Sequence, residues 1–492
     1  MTDTIAAIAT GGAISAIGII RISGGGAISV ADKVFRAANG SKLAGAENRR
    51  MYYGELLGAD GGLIDLCLCM VSRGPDSYTG EDTAEFHCHG SPVVLSEALR
   101  ALFSHGVRQA RAGEFTMRAF LNGRMDLMQA EAVIDLIEAG TPASARNAAC
   151  QLRGAVGLRL EKVYNSLVDV MAHFHAVIDY PDEDIDEFEM RSYSSALGNA
   201  EEELSRLLST FDRGRVLREG LPAAIVGRPN TGKSSLLNAI LGYDRAIVTG
   251  ISGTTRDTIE EKVFFGGLLL RLIDTAGLRK TGDAIEKLGV GRTIAALQSA
   301  GLVLLVLDGS EPLRDEDLEA LRQVPENAPV LVVVNKSDLP AVLRLPELSA
   351  FFKRRELPVF LEQREFPEFD NHREFTESEN QQKLAGFGIN CCRVSALTGE
   401  GLDALDAEIK KMFPELAAPP SGDVITNARQ AEAISRARES IKLAIAAITE
   451  SVTPDAVLTD VEAAIAAIGE VTGKTMREDV VARIFERFCV GK

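Results

Sequence analysis

The segment 227–235, which reads GRPNTGKSS, constrains the fold of this chain more than any other stretch. Lys233 and Ser234 complete the pattern GxxxxGK[ST], and the apolar run 221–226 directly before it has the length and composition of a buried strand. In such a loop, glycines let consecutive backbone N–H groups face one anion, and the helix that follows from about Ser234 offers the positive end of its dipole. A plain glycine turn would not explain why Lys233, which can reach the outer phosphates, is followed by Ser234, whose hydroxyl can ligate Mg²⁺. The pattern therefore predicts a phosphate-binding loop in an α/β domain.

Three further motifs follow apolar runs that predict strands: DTAG at 274–277 after the run 268–273, NKSD at 335–338 after the run 330–334, and SAL at 395–397 after the run 391–394. At a strand end, the Asp274 carboxylate can hold Mg²⁺ through water while the N–H of Gly277 meets the terminal phosphate. The carboxylate of the NKSD motif can pair with two donors on the edge of guanine that adenine lacks, and the SAL motif would close over the same base. The order of the motifs predicts a GTP-binding domain. The predicted GTP contacts in the four motifs are Asn230, Thr231, Gly232, Lys233, Ser234, Ser235, Asp274, Thr275, Ala276, Gly277, Asn335, Lys336, Ser337, Asp338, Ser395, Ala396 and Leu397.

The segment 249–257 is interpreted as switch I, the loop that closes over the nucleotide. A threonine there can complete the Mg²⁺ shell, and Thr255 is favoured over Thr254 because the next two residues would then lead back into the sheet. The predicted magnesium ligands are thus Ser234 and Thr255. The predicted nucleotide contacts in this segment are Thr249, Gly250, Ile251, Ser252, Gly253, Thr254 and Thr255.

Hydrolysis of GTP needs a group that orients the attacking water, together with positive charge near the phosphates. Ras-like enzymes place a glutamine directly after the DxxG motif, but this chain has Leu278, whose side chain cannot orient water. Either hydrolysis is negligible, or a group further along the chain replaces the glutamine. Glu286 is the candidate, with Asp283 behind it, although each carboxylate would also suit the exposed face of a helix.

Length and composition limit the number of domains and the type of protein that this chain can form. At 492 residues the chain is too long for one ordinary core, and two to four domains are expected. Its 46% hydrophobic and 25% charged residues are typical of a soluble globular protein. No apolar run approaches the length of a membrane span, and residues 1–9 carry no Lys or Arg, so neither a membrane segment nor a secretory signal is expected. The seven scattered cysteines argue against a disulfide framework, and these features together predict a cytoplasmic protein.

The net charge of −17 argues against attraction of nucleic acid to the whole surface, so an RNA partner must be bound by a local basic patch. Two groups of arginines are candidates, although each single arginine is more simply explained as a solvated charge. They are Arg108, Arg111, Arg118 and Arg124 in the first quarter of the chain, and Arg206, Arg213, Arg215 and Arg218 before the phosphate loop.

Cysteines and histidines in two predicted strands raise the question of a metal site. Cys67 and Cys69 are separated by one residue, as are His87 and His89. Alternation along a strand would direct each pair to one face, but the ligand spacing of a zinc ribbon is missing. Packing in the core or at the surface is the preferred interpretation.

Four segments differ in their predicted secondary structure. The strand-like runs 17–22, 51–57, 63–71 and 84–89, with one helical stretch at 92–103, predict a small α+β domain over 1–120. Alternating strand and helix patterns predict a parallel-sheet, Ras-like GTPase domain over 221–413. Helical patterns fill 121–220 and 414–492, and neither segment looks self-sufficient. The fold class is therefore multidomain α/β: an N-terminal α+β domain, a helical domain in two segments, and a P-loop domain inserted between them. A charged stretch at 351–382 exceeds what the GTPase fold needs and is interpreted as a surface insertion.

One long helix is predicted in the first helical segment. Apolar residues recur there at spacings of three and four, which places them on a single stripe that other helices must cover. They are Leu152, Val156, Leu160, Val163, Leu167, Val170 and Phe174.

Beyond the GTPase motifs, the chain resembles the tRNA modification GTPase MnmE (TrmE) family of TrmE-Era-EngA-like GTPases. The resemblance rests on GIIRISG at 18–24, SYTGEDTAEFHCHG at 77–90, GEFTMRAFLNGRMDLMQAEAVIDLI at 113–137 and FCVGK at 488–492, and it extends over the whole chain. One departure is the turn at 11–16, where the family usually shows a Pro/Gly-rich sequence.

The resemblance implies a homodimer formed by the N-terminal domains, each of which binds a one-carbon carrier such as 5-formyl- or 5,10-methylene-tetrahydrofolate. It also implies a heterotetramer with the FAD-dependent partner MnmG (GidA) that adds an aminomethyl-type group to C5 of the wobble uridine of certain tRNAs. Cations suit the carboxylates of the folate, and a glutamate suits the donor edge of the pterin. Carried over by motif, the folate contacts are Arg21, Glu81, Arg124, where the family commonly has Lys, and Lys492.

The resemblance further implies that K⁺ activates hydrolysis when two nucleotide domains meet, with the cation in the role that an arginine finger has in other GTPases. The implied K⁺ ligands are the side chain of Asn230 and the backbone carbonyls of Thr249, Ile251 and Thr254. Glu286 matches the glutamate that positions water in the family.

Two other functions are compatible with the GTPase motifs. One is a GTP-dependent assembly switch that binds structured RNA, such as ribosomal RNA, without modifying it, and this function predicts an RNA-binding appendage in place of a folate site. The other is a folate-dependent one-carbon enzyme that GTP merely regulates.

Overall fold

The computed structural model describes residues 3–179, 187–243, 260–273, 297, 300–325, 328–343, 390–417, 422–450, 452–476, 478–486 and 488–491. The chain divides into two compact units, and along the sequence the second interrupts the first. Unit 1 comprises Met1–Ile137, Ala149–Leu208 and Arg429–Lys492, and unit 2 comprises Glu138–Ala148 and Ser209–Ala428. No described helix has both the length and the apolar composition that a bilayer crossing requires. The predicted insertion at 351–382 lies outside the described residues.

Among the described elements, strands lie in the N-terminal part of unit 1 and in unit 2, and helices lie in both units. The strands are β1 (Ile5–Ile8), β2 (Ser15–Ser23), β3 (Phe35–Ala37), β4 (Met51–Leu57), β5 (Leu63–Ser72), β6 (Thr83–Gly90), β7 (Arg108–Gln109), β8 (Leu221–Val226), β9 (Glu260–Phe265), β10 (Leu268–Ile273), β11 (Leu302–Asp308), β12 (Val330–Asn335) and β13 (Asn390–Val394). The helices are α1 (Ala27–Val34), α2 (Pro92–Ser104), α3 (Glu114–Leu121), α4 (Leu127–Ile137), α5 (Pro142–Leu152), α6 (Ala155–Asp179), α7 (Glu187–Leu208), α8 (Phe211–Glu219), α9 (Lys233–Tyr243), α10 (Asp315–Arg322), α11 (Leu402–Met412), α12 (Pro414–Ala417), α13 (Ala428–Thr449), α14 (Pro454–Thr472) and α15 (Glu478–Phe485).

Unit 1 begins with a seven-stranded sheet, all of it within the described range 3–179, in the order β3-β4-β5-β6-β2-β1-β7. Neighbouring strands are antiparallel except β1 and β7, which are parallel. Alternate residues of the strands, such as Ile20, Ile22 and Phe86, point to one face and form a buried core with residues of α1 and α2. On the other face, Ile5 and Phe115 belong to a second, smaller apolar cluster. Helix α3 thus covers only the β1 end of that second face.

A buried group of charged side chains joins the start of the chain to α3 and to the loop 73–82. Arg118, on α3, is 1% exposed and donates hydrogen bonds to the carboxylates of Asp3, Glu81 and Glu114 at 2.8, 3.0 and 3.1 Å. Arg108 donates to Asp3 and Glu114 at 2.6 Å each. Two guanidinium groups are therefore shared among three carboxylates. The sequence-based interpretations of Arg118 as a solvated or RNA-facing charge are both wrong, because the side chain is buried and ion-paired.

The carboxyl group of Glu114 is strongly affected by this environment. Burial would raise its pKa, but hydrogen bonds from Arg108, from the backbone N–H of Arg111 and from Arg118 outweigh burial and lower the pKa to about 2. A pKa below the usual 4.5 means that the ionised cluster stabilises the folded state fully above that usual value. This stabilisation is lost progressively as the pH falls from 4.5 toward 2.

Long helices complete unit 1. The predicted apolar stripe is confirmed along α6, where all its members are buried, and α14 packs along the same helix. The prediction of a single helix that includes Leu152 is wrong, because α5 ends at that residue and α6 begins at Ala155. Gly154 lies between them with φ +82°, a conformation that costs little only for glycine, and it turns the chain.

Unit 2 is built on a sheet with the order β13-β12-β11-β8-β10-β9 among its described residues. All neighbours are parallel except β9, which pairs antiparallel with β10. Every residue of β11 is buried, as expected for a parallel strand covered on both faces. The chain leaves β8 for β10 on one side and then returns to β11 on the other side. Ligands of open α/β sheets bind at such a point, beyond the carboxyl ends of the strands.

The predicted strands agree with the structure where the apolar run is long. The runs 51–57, 221–226 and 268–273 coincide with β4, β8 and β10. The predicted parallel sheet of unit 2 has one antiparallel edge, because β9 and β10 form a hairpin across Gly266 and Gly267, both with positive φ. Strands β9 and β11 were not predicted from the sequence.

The substitution Arg118→Met is expected to destabilise the N-terminal sheet by about 3–5 kcal/mol, because it leaves three buried or half-buried carboxylates without their shared cation. Amide hydrogen exchange of β1, β2 and β6 at increasing urea concentration measures the loss locally. Arg100→Met is the matched control: Arg100 pairs with Glu97 but is 73% exposed, so its loss should change stability by less than about 1 kcal/mol. Equal effects of the two substitutions would contradict the expected role of burial.

Candidate functional site

The predicted phosphate-binding loop connects β8 to α9. The helix begins at Lys233, so the free N–H groups of its first turn open toward the loop. The ammonium group of Lys233 donates hydrogen bonds to the backbone carbonyls of Gly227 and Arg228, at 2.8 Å each. The charge is therefore held over the loop, where a bound phosphate can accept the same protons.

The side-chain amide of Asn335 ties three of the predicted motifs together. Its nitrogen donates to the backbone carbonyl of Thr231 in the phosphate loop at 2.8 Å, and its oxygen accepts the N–H of Ala396 at 3.0 Å. Asn335 is only 2% exposed. Gly232 has φ +94°, and a Cβ at this residue would lie 2.2 Å from the Asn335 nitrogen. The amide can reach the phosphate loop only because residue 232 is glycine.

The NKSD and SAL motifs meet on the base side of the site. The hydroxyl of Ser395, which is fully buried, donates to a carboxylate oxygen of Asp338 at 2.6 Å. Asp338 itself is exposed, so its carboxylate is oriented from one side and open on the other. Leu397, two residues after Ser395, is 84% exposed. This arrangement suits a carboxylate that accepts two hydrogen bonds from the edge of guanine.

An ion network behind the phosphate loop was missed by the sequence analysis. Arg228, 8% exposed, lies 2.7 Å from Glu311, 3.3 Å from Asp317 and 4.0 Å from Asp308. Asp308 also accepts a hydrogen bond from the ammonium of Lys336 at 2.6 Å. A signal was available in the sequence, because the apolar run of β11 ends in Asp308 just as the run of β10 ends before Asp274.

The electrostatics of Asp308 follow from these partners. Burial would raise the pKa of its carboxyl group, but hydrogen bonds from Lys336 and from the hydroxyl and N–H of Ser310 outweigh burial and lower the pKa. The group is therefore ionised at neutral pH. Removal of the Lys336 ammonium would leave the buried charge on Asp308 without its closest cation and would destabilise the folded state.

Several predicted site residues lie outside the described residues. They are the switch I contacts Thr249, Gly250, Ile251, Ser252, Gly253, Thr254 and Thr255, the DTAG motif Asp274, Thr275, Ala276 and Gly277, the water-orienting candidate Glu286, and Lys492. Of the predicted metal ligands, the structure describes two. Ser234 is exposed at the start of α9, and Asn230 is exposed in the phosphate loop with φ +66°.

The three described residues assigned to folate all meet the loop 73–82. Glu81 belongs to this loop, and its carboxylate accepts hydrogen bonds from Arg118 and, at 2.8 Å, from the hydroxyl of Ser23. The guanidinium of Arg21 lies 5.3 Å from the ring centre of Tyr78. The side chain of Arg124 lies near Gly80, since a Cβ on that glycine would be 3.3 Å from its Cγ. The loop thus brings two arginines and a carboxylate into one neighbourhood.

The paired cysteines and histidines occupy opposite faces of the N-terminal sheet. Cys67, Cys69 and Cys88 are buried in the main core, and burial, together with the thiol of Cys88 and the carboxylate of Asp32, raises the pKa of Cys69. His87 lies 3.6 Å from Glu85, and His89 contacts Asp65 at 2.8 Å. Within the part of the chain that the structure describes, no group of three or more His, Cys, Asp or Glu side chains is arranged to hold a metal ion.

The substitution Gly232→Ala is expected to abolish nucleotide binding while leaving the fold of unit 2 intact. The new Cβ would clash with the Asn335 amide and force a left-handed backbone conformation on alanine. Titration with a fluorescent GDP analogue measures the loss, expected to be at least a hundredfold in Kd. Gly242→Ala on α9 is the control, because a Cβ there meets nothing within 4 Å. Retained affinity in Gly232→Ala would show that Asn335 is not a fixed part of the site.

Comparison with known proteins places this geometry in a family. Residues 127–489 match the family model described as MnmE helical domain, and residues 4–124 match the model described as GTP-binding protein TrmE N-terminus. Curated relatives named tRNA modification GTPase MnmE include those of Symbiobacterium thermophilum, 42% identical, and Clostridioides difficile, 38% identical, each over 100% of this chain and 99% of the relative. The relative of Roseiflexus is 39% identical with the same coverage.

These matches confirm the resemblance found in the sequence motifs. They also confirm the predicted fold class, with an N-terminal α+β domain, a helical domain in two segments and a P-loop α/β domain inserted between them. The chain belongs to the tRNA modification GTPase MnmE family.

Proposed function

We propose that this protein hydrolyses GTP and, with an FAD-dependent partner, modifies tRNA at the wobble uridine. The modification adds an aminomethyl-type group, such as carboxymethylaminomethyl, to C5 of the base and uses a one-carbon unit from tetrahydrofolate. The observation that carries the proposal is the match, over 100% of this chain, to relatives named tRNA modification GTPase MnmE. Because the match includes the segments on both sides of the GTPase motifs, the similarity cannot come from a shared GTPase domain alone.

The described geometry supports guanine nucleotide as the bound ligand. Asn335 joins the phosphate loop to the SAL motif, and Asp338 presents an open carboxylate edge toward the base position. The exposed hydroxyl of Ser234 at the start of α9 suits a magnesium ligand, and Thr255 would complete the protein part of the shell. Magnesium would supply the positive charge that offsets the phosphates.

For hydrolysis, we assign the orientation of water to Glu286 and the second cation to a K⁺ site. The ligands of K⁺ would be the side chain of Asn230 and the carbonyls of Thr249, Ile251 and Thr254. Asn230 supports this assignment, because it is exposed within the phosphate loop and carries a polar side chain in a left-handed conformation. The cation would supply charge at the β- and γ-phosphates, as an arginine finger does elsewhere.

We assign the folate site to the N-terminal domain, with Arg21, Glu81, Arg124 and Lys492 as contacts. The arrangement around loop 73–82 supports the assignment, and so does the path of the C-terminal tail. Val490 pairs with Ala112 in an isolated bridge, directly before α3, which carries Arg118. The proposed domains are the folate-binding and dimerisation domain 1–120, the helical segments 121–220 and 414–492, and the GTPase domain 221–413.

A homodimer through the N-terminal domains is supported by an uncovered apolar face of their sheet. Tyr53 and Leu68 lie directly opposite each other on β4 and β5, and they are 53% and 40% exposed. Met51 and Leu66 on the same strands are 43% and 45% exposed. A contiguous apolar patch of this kind marks an interaction site, and a second copy is the occupant that we propose. The FAD-dependent partner MnmG and tRNA would complete the assembly.

We expect the purified protein to hydrolyse GTP faster in K⁺ than in Na⁺. In Glu286→Ala, we expect kcat to fall by at least about a hundredfold while the affinity for GTP stays unchanged. The reason is that a water-orienting carboxylate acts in the transition state and not in nucleotide binding. Phosphate release under saturating GTP measures kcat. Asp283→Ala is the control and should keep its turnover. Loss of turnover in Asp283→Ala alone would assign the role to Asp283, and equal rates in the two salts would contradict the K⁺ site.

Cells that lack this protein are expected to lose the C5-modified wobble nucleosides, as measured by mass spectrometry of digested tRNA. The wild-type gene should restore them, whereas Arg21→Met should not, because methionine offers no charge to the folate carboxylates. Purified Arg21→Met should likewise fail to retain 5-formyltetrahydrofolate while it still hydrolyses GTP. Arg36→Met is the control, since Arg36 is 70% exposed on the same sheet. Unchanged wobble nucleosides in the deleted strain would favour the RNA assembly switch.

A further inference from the structure

Asp308 occupies a position between the phosphate loop and the base motif that no sequence motif assigns. It is the last residue of β11, the strand between β8 and β12, and these neighbours carry the phosphate loop and the NKSD motif at their ends. Its side chain is 2% exposed. One carboxylate oxygen accepts the hydroxyl and the N–H of Ser310 at 2.6 and 3.0 Å, and the other accepts the ammonium of Lys336 at 2.6 Å.

Neighbouring hydrogen bonds fix the orientation of the Asp308 carboxylate and its position relative to the NKSD motif. Ser310 holds one oxygen, so the carboxylate cannot rotate without breaking two hydrogen bonds. The backbone N–H of Gly309 donates to the carbonyl of Asn335 at 2.8 Å, which locks the end of β11 to the start of the NKSD motif. The charge of Asp308 therefore lies at a defined distance from that motif.

Lys336 is the member of the NKSD motif that this charge restrains. Its backbone has φ +64°, an uncommon conformation for a residue with a long side chain, and its side chain is 32% exposed. A lysine that is exposed on one side and unpaired would sample many rotamers. The ion pair with Asp308, at 2.6 Å, restricts the ammonium group to one position.

We propose that Asp308 is a positioning residue of the nucleotide site, which holds the Lys336 side chain of the NKSD motif in one conformation for contact with the bound nucleotide. The proposal rests on the proposed function only in taking guanine nucleotide as the ligand. Asp308 contacts no nucleotide in this scheme and acts through Lys336. The nearby Arg228 is held mainly by Glu311, at 2.7 Å, and is 4.0 Å from Asp308, so this arginine of the phosphate loop has a carboxylate partner other than Asp308.

The test is a double-mutant cycle read by the Kd of a fluorescent GDP analogue. Asp308→Asn and Lys336→Met are each expected to weaken binding about tenfold, the usual effect of losing a hydrogen bond between charged groups. The double variant should bind no more weakly than Lys336→Met alone, because Asp308 has no effect without the lysine. A general loss of structure would instead multiply the two effects.

Glu311→Gln gives the matched control cycle. As in Asp308→Asn, the substitution replaces a carboxylate with a neutral amide in the segment that follows β11. Glu311, however, contacts Arg228 and Arg314 and makes no ion pair with Lys336. Its effect on Kd should multiply with that of Lys336→Met. The same non-additivity in both cycles would overturn the proposal, because it would show a response of the whole loop.

Lys336→Arg keeps the proposal testable if Asp308→Asn does not fold. Arginine retains both a cation for Asp308 and an aliphatic stem, so Lys336→Arg should stay within about threefold of the wild-type Kd while Lys336→Met loses about tenfold. If the wild-type protein binds GDP, either of two results overturns the inference. One is an equal loss of affinity in Lys336→Arg and Lys336→Met, and the other is independent effects of the Asp308 and Lys336 substitutions on Kd. Failure of the wild-type protein to bind GDP would instead overturn the proposed function.

Discussion

The side-chain amide of Asn335 is the contact on which the geometry of the nucleotide site depends. It donates to Thr231 and accepts from Ala396, residues that lie 104 and 61 positions away in the chain. A carboxylate can only accept and an ammonium can only donate, whereas an amide has both a donor and an acceptor and can hold both neighbours with one side chain. The contact also requires Gly232, whose missing Cβ leaves space for the amide. The loop that would hold the phosphates and the motifs that would hold the base are thus fixed relative to each other before any ligand binds.

The sequence predicted those parts of the fold in which a single local pattern decides the outcome. Apolar runs such as 221–226 and 330–334 became buried parallel strands, and the polar motifs that follow them lie at one edge of the sheet because parallel strands end on the same side. The interruption of the long helix at Gly154 was missed because the apolar spacing continues across it. Strand β9 was missed because its direction depends on the hairpin with β10, a pairing that no local pattern specifies.

Charged residues show the limit of sequence reasoning most clearly. Nothing in the neighbourhood of Arg118 distinguishes it from a solvated arginine on a helix, because two of its partners, Asp3 and Glu81, lie 115 and 37 positions away. The same holds for Arg228, whose partners are the last residue of β11 and two residues that follow this strand, with Glu311 83 positions away in the chain. Burial of a cation is a property of the assembled structure. It can be expected only once the strand order is known.

The two buried arginines follow one pattern. Arg118 lies among Asp3, Glu81 and Glu114, and Arg228 lies among Asp308, Glu311 and Asp317. In a chain with 70 acidic and 53 basic residues, an excess of carboxylates around each guanidinium compensates the cost of its burial. Each cluster braces a loop that has little apolar surface of its own, loop 73–82 in the first case and the phosphate loop in the second. Directional hydrogen bonds between charged groups can fix such loops in one conformation, whereas apolar contacts, which are not directional, would fix them less uniquely. The loops of both proposed binding regions are therefore held by charge, while the sheets beneath them are held by apolar cores.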